Sequence, residues 1–444
     1  MKTKLTFYGG VSEIGGNKIL LEQGKTRFFL DMGQSFDFGE EFFTEYLSPR
    51  TSRVGLRDYF ALNLVPKIPG LYSRAMLEKT RFKYEPPRFH AIFLSHIHFD
   101  HSWHIQFVDP EIPVYLGEGT KIILDSWEET STGVKFGTHD YRVFRTGKTI
   151  DVDGVEVQPI HVDHSVPAAY GYIIHTDSGT VLYTGDLRRH GPHSEMTDDF
   201  LEKAQEAEIL ICEGTRVEPK EKRKNYTESE VLSHSKTVVK KAKGKLVATT
   251  FYPRDVDRMK TFHRVARETG RKFVISTKTA KLLMSLSRDP GIEVPNVIGD
   301  ESILIYARNL VRRPTWEKDL LDHCVDARFV HRNQEKIILQ LDFHHFTEFV
   351  DIDPEPGSYF IHSMSEPFEE DDIEDKIKHN WLDHFKFHFH QYHASGHCSK
   401  KEIFEILRTI DARVVFPVHT EHPKMFMKFA KGVVLPELGK TYEL

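Results

Sequence analysis

The chain has 444 residues, a formal charge of −6, and 39% hydrophobic and 28% charged residues. These values suit a globular protein of two or three domains, and no apolar run approaches the ~20 residues that cross a membrane. Cys212, Cys324 and Cys398 are too dispersed for a disulfide framework or a cysteine zinc site, and the negative charge argues against a nonspecific nucleic-acid coat while leaving room for a local positive site.

The N-terminus leads directly into a strand-like run over 5–8, so no signal peptide is expected and the cytoplasm is the expected compartment. A glycine-rich turn follows, Gly9-Gly10-Val11-Ser12-Glu13-Ile14-Gly15-Gly16-Asn17. Residues 18–22 and 26–30 then read as a hairpin closing at Asp31-Met32-Gly33. No helix and no Lys-Ser/Thr pair follow the glycines, which rules out a P-loop and favours tight β-turn packing. Residues 34–84 read as an irregular surface excursion without chemistry.

A short buried strand over 91–94 delivers Ser95-His96-Ile97-His98-Phe99-Asp100-His101-Ser102-Trp103. Extended chain alternates its side chains, so His96, His98 and Asp100 share a face, and a turn after Asp100 brings in His101. Imidazole with carboxylate suits zinc, with manganese or iron as alternatives. The competing reading is a solvated polar loop; four candidate ligands packed directly behind a buried strand favour a metal.

The pattern then repeats. A strand over 155–160 leads to His161-Val162-Asp163-His164-Ser165-Val166-Pro167, and strands over 170–174 and 180–183 end at Thr184-Gly185-Asp186. His164 and Asp186 thus stand just past strand ends, where ligands of one site gather. His161 competes with His164, and the rigid proline turn favours His164. A buried strand over 207–212 ends at Glu213-Gly214-Thr215.

Composition changes beyond this point. The mixed charges of 218–224 read as a solvated linker, and Thr227 with Glu230 as a capping box opening a helix to about 241. A strand over 246–250, a helix over 254–268 and a strand over 272–275 alternate as in a parallel sheet, with 358–362 as its last strand. Residues 385–393 alternate Phe with Lys386, His388 and His390, which favours a strand with an exposed polar face over a histidine metal tract. Next, His393-Ala394-Ser395-Gly396-His397-Cys398-Ser399 enters a helix over 400–409 with a second capping box, Ser399 and Glu402. This loop reads equally as an ordinary cap or a phosphate site. A strand over 413–416 precedes Pro417-Val418-His419.

His96, His98, Asp100, His101, His164, Asp186 and His419 are too many ligands for one zinc and suit two. The expected arrangement puts His96, His98 and His164 on one ion, Asp100, His101 and His419 on the other, and shares Asp186. Two divalent ions, two aspartates and a bridging hydroxide leave about +1, which favours an anionic substrate such as a phosphodiester attacked by the bridging water. Glu213 and His397 form a carboxylate–imidazole pair suited to stabilising the phosphorane or protonating the leaving oxygen.

His96-Ile97-His98-Phe99-Asp100-His101, with His164 and Asp186, resembles the metallo-β-lactamase superfamily. Glu213, His397 in Ser-Gly-His and His419 in Pro-Val-His resemble the three added motifs of its β-CASP nucleases. The glycine-rich opening, His164-Ser165-Val166-Pro167, Thr184-Gly185-Asp186 and the loop 393–399 are similar to the ribonuclease J group, particularly its compact archaeal forms. Phe251-Tyr252-Pro253-Arg254-Asp255-Val256-Asp257-Arg258 resembles the first strand-to-helix junction of a β-CASP domain. The resemblance implies an α/β chain: a four-layer αββα metallo-β-lactamase domain over 1–214 and 385–444, interrupted by an α/β β-CASP domain with a parallel sheet over 215–384.

It further implies a zinc-dependent hydrolase with two Zn2+, manganese being the alternative. Asp100, Glu213 and His397 would be catalytic, and His393, Ser395, Gly396 and Ser399 would contact substrate. The implied activity is 5′→3′ exonuclease on single-stranded RNA with 5′-monophosphate ends. An endoribonuclease or single-stranded DNA nuclease of the same fold is the alternative, ahead of a small-molecule hydrolase or an inactive scaffold. No membrane partner is expected, and a homodimer is compatible with the resemblance. Ile97 and Phe99 stand where bacterial relatives usually carry Gly and Glu, and Ser363-Met364-Ser365-Glu366-Pro367-Phe368 lacks their Pro-Gly-Asn turn. His190, His193, His344-His345, Arg312-Arg313 and the lysines over 236–245 carry no assigned role.

Overall fold

A computed structural model describes residues 2–44, 46–221, 223–224, 226–365 and 372–444. Positions 366–368 of the altered turn therefore lie outside the described residues, as does Lys222 of the charge run. The strands in chain order are β1 (Thr3–Gly9), β2 (Lys18–Gln23), β3 (Thr26–Leu30), β4 (Ala91–Phe93), β5 (Val114–Gly117), β6 (Tyr141–Phe144), β7 (Ile150–Val152), β8 (Val155–Val162), β9 (Ala169–Thr176) and β10 (Gly179–Tyr183). They continue with β11 (Ile209–Glu213), β12 (Val247–Thr250), β13 (Lys272–Ser276), β14 (Ile303–Tyr306), β15 (Cys324–Val325), β16 (Ile337–Gln340), β17 (Tyr359–His362), β18 (His388–Gln391), β19 (Val414–Val418) and β20 (Thr441–Glu443).

Period-two alternation decides which face each strand buries. In β2 and β3, Ile19, Leu21, Phe28 and Leu30 point one way while Leu20 and Phe29 point the other. The first set meets Val157, Tyr172, Val181, Ile209 and Ile211 of the second sheet, forming the inner core of a sandwich. The first sheet runs β20-β1-β2-β3-β4-β5-β6 and the second β19-β11-β10-β9-β8-β7. Helices cover both outer faces. Ile123 and Leu124 of helix Glu118–Thr130 pack outside the first sheet. Phe200 of helix Ser194–Lys203 and Ile403, Ile406 and Leu407 of helix Lys400–Ile410 pack outside the second. This is the expected αββα arrangement.

The third sheet, β15-β14-β13-β16-β12-β17-β18, is parallel throughout, and helices Glu228–Lys241, Val256–Glu268 and Thr277–Leu286 flank it. Its strand β18 pairs in parallel with β17, so 358–362 is not its edge and the sheet runs past position 384. Phe387 reaches the core beside Phe360, while His388 stays exposed.

Residues 34–84 depart from the surface excursion expected. They form short helices, Thr51–Val54, Arg57–Ala61 and Arg74–Leu77. Leu56, Phe60, Leu71 and Leu77 bury in the same core as Ile105 and Phe107. Aromatics scattered without a period cannot be paired with their core partners from sequence alone. No helix among the described residues is long and apolar enough to cross a membrane.

Candidate metal centre

The sandwich brings the carboxyl ends of β4, β8, β10, β11 and β19 to one rim, and each end carries a residue predicted from the sequence. Beyond β4, the four-residue helix Phe99–Ser102 supplies the turn that lets His101 join His96, His98 and Asp100. The glycine-rich opening packs directly on this turn. Gly16 N donates to Asp100 O at 2.9 Å, and a Cβ on Gly33 would stand 1.6 Å from that same oxygen. His419 adopts left-handed φ of 54°, a strained conformation for a histidine, and its N–H is held by Gly10 O at 2.8 Å.

Three donor groups form among the described residues. His96, His98, His164 and Asp186 converge in one, Asp100, His101, Asp186 and His419 in a second, and Asp186, Glu213 and His397 in a third, with the donor atoms of each group within 4.8 Å of one another. Asp186 belongs to all three, and the first two match the expected ligand sets. His161 does not join; its ring stacks on Tyr170 at 4.5 Å.

Hydrogen bonds behind the imidazoles decide which nitrogen faces inward. His164 Nδ1 donates to Gly396 O at 2.6 Å, leaving a lone pair on Nε2. The Ser95 hydroxyl spends its proton on Asp31 Oδ2 at 2.8 Å, so it accepts from His96 Nδ1 at 3.0 Å and leaves a lone pair on His96 Nε2. Both Nε2 atoms face His98 Nδ1, at 2.9 and 3.0 Å. Burial, then the adjoining imidazoles, hold His96 and His164 well below the ordinary histidine value, and burial pulls His98 down to about 3. All three are therefore neutral, as ligands must be.

In the second group His101 Nδ1 donates to Asp31 Oδ2 at 2.7 Å, and Thr215 Oγ1 lies 2.8 Å from His419 Nδ1. His101 Nε2 and Asp186 Oδ2 lie 3.0 Å apart, yet His101 Nε2 and both Asp186 carboxylate oxygens are buried without a hydrogen-bond partner among the described residues. Buried unpaired carboxylate oxygens are costly. A cation among these atoms would satisfy them together with the facing lone pairs, so the donor set fits a metal.

Glu213 and His397 stand against this centre, His397 Nδ1 lying 3.2 Å from Glu213 Oε1 and 3.8 Å from Asp186 Oδ2. Thr215 ties the two to the ligands: its hydroxyl donates to Glu213 Oε2 at 2.8 Å and lies 3.1 Å from His397 Nδ1.

The loop 393–399 is divided in its tasks. Gly396 packs so closely that a Cβ would meet His164 Cε1 at 2.9 Å. Ser399 Oγ accepts from Glu402 N at 3.3 Å as a helix cap, with the reciprocal bond present. His393 and Ser395 instead line a cavity of about 190 Å³ with Arg216, Arg223, Lys224, Tyr226, Ser365 and Gln391. Arg216 is buried; among the described residues its Nε and Nη1 have no partner and Nη2 alone reaches a carboxylate, Glu221 at 3.3 Å. His190, unassigned from sequence, braces the loop through Nε2 to Ser395 O at 3.1 Å.

Sequence reasoning missed Asp31, Thr215 and Arg216. Asp31 is fully buried, takes four donors, and carries left-handed φ of 59°. It closes a strand as the ligands do, which is the one signal that pointed to it.

Residues 66–245 match the family described as "Beta-lactamase superfamily domain", and 384–431 match "Zn-dependent metallo-hydrolase RNA specificity domain". The chain is 26% identical over 246 residues to a protein named Ribonuclease J from Sinorhizobium meliloti, covering 51% of this chain and 40% of that protein. It is 21% identical over 442 residues to one of the same name from Pyrococcus abyssi, covering 94% and 90%. The chain thus spans about two fifths of the length of the Sinorhizobium meliloti relative. A crystal structure of a protein of unknown function from Enterococcus faecalis has the same fold, with a TM-score of 0.79, 24% identity and full coverage of both chains.

Proposed function

We infer that this chain, which carries a metallo-β-lactamase superfamily domain and resembles ribonuclease J, is a metal-dependent ribonuclease. In this reading it holds two zinc ions and removes nucleotides from the 5′ end of single-stranded RNA. The observation that carries it is the paired donor set around Asp186, with its partnerless carboxylate oxygens, beside the Glu213–His397 pair. His96, His98 and His164 would hold one ion, Asp100, His101 and His419 the other, and Asp186 both.

Bound divalent ions would supply a lowered water pKa and charge stabilisation of a phosphoryl oxygen. The chain's own residues do the remaining work. Glu213 accepts from His397 Nδ1 and fixes the ring, which leaves Nε2 as the atom that passes a proton to the leaving oxygen. Thr215 keeps that pair in register with His419. Arg216 offers unpaired N–H groups to a terminal phosphate beside His393 and Ser395. The RNA specificity description at 384–431 and the relatives' names support RNA as the substrate. We assign the sandwich to 1–214 and 385–444 and the inserted domain to 215–384, with β18 shared across that boundary.

The test uses 5′-monophosphate RNA labelled at either end, with DNA and the Asp100→Ala protein beside it. Immediate release of labelled mononucleotide from the 5′-labelled RNA is expected, with no cleavage by the variant. Internal fragments from both labels would replace the exonuclease reading with an endonuclease one, and an active variant would sink the two-metal mechanism.

A further inference from the structure

A second cavity, of about 170 Å³, shares no lining residue with the one beside Ser395. It opens at the carboxyl ends of three adjacent parallel strands: β13 ends at Ser276, β14 at Tyr306 and β16 at Gln340, and all three residues line it. The chain leaves β13 toward β14 on one side, and β16 returns on the other. Crevices at such reversals of strand order are where open parallel sheets hold ligands.

The chemistry of the lining favours a phosphate. Helix Thr277–Leu286 starts here, capped by Ser276, so the positive end of its dipole meets the cavity. Lys278 and Arg308 line the wall and make no ion pair among the described residues. Burial, then the Arg308 charge, pull Lys278 below its usual value against the opposing Asp342 and Glu317 charges. Gln340 is 1% exposed and lines the cavity. Its Oε1 accepts from Ser276 N at 3.2 Å, which identifies the other amide atom as Nε2, and that donor is buried without a partner among the described residues. A buried amide N–H with nothing to bond indicates an acceptor yet to arrive.

Two carboxylates also line the cavity. Glu317 is occupied by Thr277 Oγ1 at 2.6 Å and Arg313 Nη1 at 3.2 Å. Asp342 makes no ion pair among the described residues and remains an acceptor suited to a sugar hydroxyl, the role an acidic residue plays beside a phosphate-binding helix in dinucleotide sites. Trp316 adds an aromatic wall.

We propose that this cavity is a second ribonucleotide site, in which Lys278, Arg308 and Gln340 Nε2 hold a phosphate and Asp342 a ribose hydroxyl. That the nucleotide is a released monophosphate or a unit of the bound strand rests on the ribonuclease reading.

Calorimetric titration of the full chain tests it with two probes, AMP and a single-stranded RNA carrying a 5′-hydroxyl, and with inorganic phosphate as the sugar-free control. Wild type, Lys278→Ala, Arg308→Ala, Asp342→Asn and, as a control at an exposed lysine away from both cavities, Lys203→Ala proteins are compared, each melting at the wild-type temperature. Loss of about tenfold in affinity for either probe with Lys278→Ala and Arg308→Ala, beside an unchanged Lys203→Ala protein, is expected. Loss for AMP identifies the free nucleotide, and loss for the RNA identifies the strand. Asp342→Asn should weaken the same probe while leaving inorganic phosphate unaffected. Unchanged isotherms for both probes overturn the site even if the protein cleaves RNA. Binding that depends on Lys278 and Arg308 in a protein that cleaves no RNA keeps the site and removes the ribonuclease reading.

Discussion

Replacing Arg258 by methionine should unlock the joint between helix Val256–Glu268 and the loop 393–399. The guanidinium is fully buried and holds Glu228 with two contacts, Nε to Oε1 at 2.8 Å and Nη2 to Oε2 at 3.0 Å. It also donates to Ser363 O and Oγ, both at 2.7 Å, and to Ala394 O at 3.1 Å, beside His393 and Ser395. Methionine fills the volume but leaves the buried Glu228 carboxylate with Thr261 Oγ1 as its remaining close donor, at 2.7 Å. Stranding one partner of a buried ion pair costs about 3–5 kcal/mol. The urea midpoint should fall accordingly, and Glu228→Gln in the same chain should restore about 1–3 kcal/mol, since neighbours in one network do not add. Freed from Ser363 and Ala394, the loop carrying His393 and Ser395 should misplace by enough to lower kcat/KM about a hundredfold at temperatures where the variant is folded. A loss under about 1 kcal/mol, or a double-mutant coupling near zero, would refute the view that Arg258 compensates a buried charge.

Other perturbations have equally definite outcomes. Burial pulls the Lys18 ammonium from 10.5 down to about 8 against the opposing Glu13 charge, so between pH 8 and 10.5 the unfolded chain binds more protons than the folded one. Stability should therefore rise with pH across that window, by about 3 kcal/mol before other titrations; a melting gap between wild type and Lys18→Met that stays constant from pH 7 to 10 would contradict it. Zinc measured by mass spectrometry should be about two ions per chain, about one in His98→Ala, and well below one in Asp186→Ala, because Asp186 serves both groups. Arg216→Ala should raise KM about tenfold for 5′-monophosphate RNA and leave 5′-hydroxyl RNA unaffected, since one charge-assisted bond is worth roughly 1.5–3 kcal/mol. An equal effect on both ends would place Arg216 outside phosphate recognition.

The patterns that repeat within a few residues were legible in the chain itself. The hairpin-like runs in 18–30, the buried strand run in 207–212, the two capping boxes at Thr227 and Ser399, and the histidines just past strand ends are local signals, set by backbone geometry and short hydrogen bonds. So the parallel sheet and the candidate ligands could be listed before any fold was built, while the sandwich followed from the resemblance those motifs carry. Tertiary structure decided what local signals cannot encode. It separated His164 from His161 by the Gly396 carbonyl, 232 positions away, and set Asp31 behind His101 across 70. It drew residues 34–84 into the core and β18 into the third sheet. It also left Gln340 Nε2 and two Arg216 nitrogens without partners among the described residues. An unmet donor is defined only by all the atoms around it, and those come from segments whose separation along the chain carries no trace of their meeting.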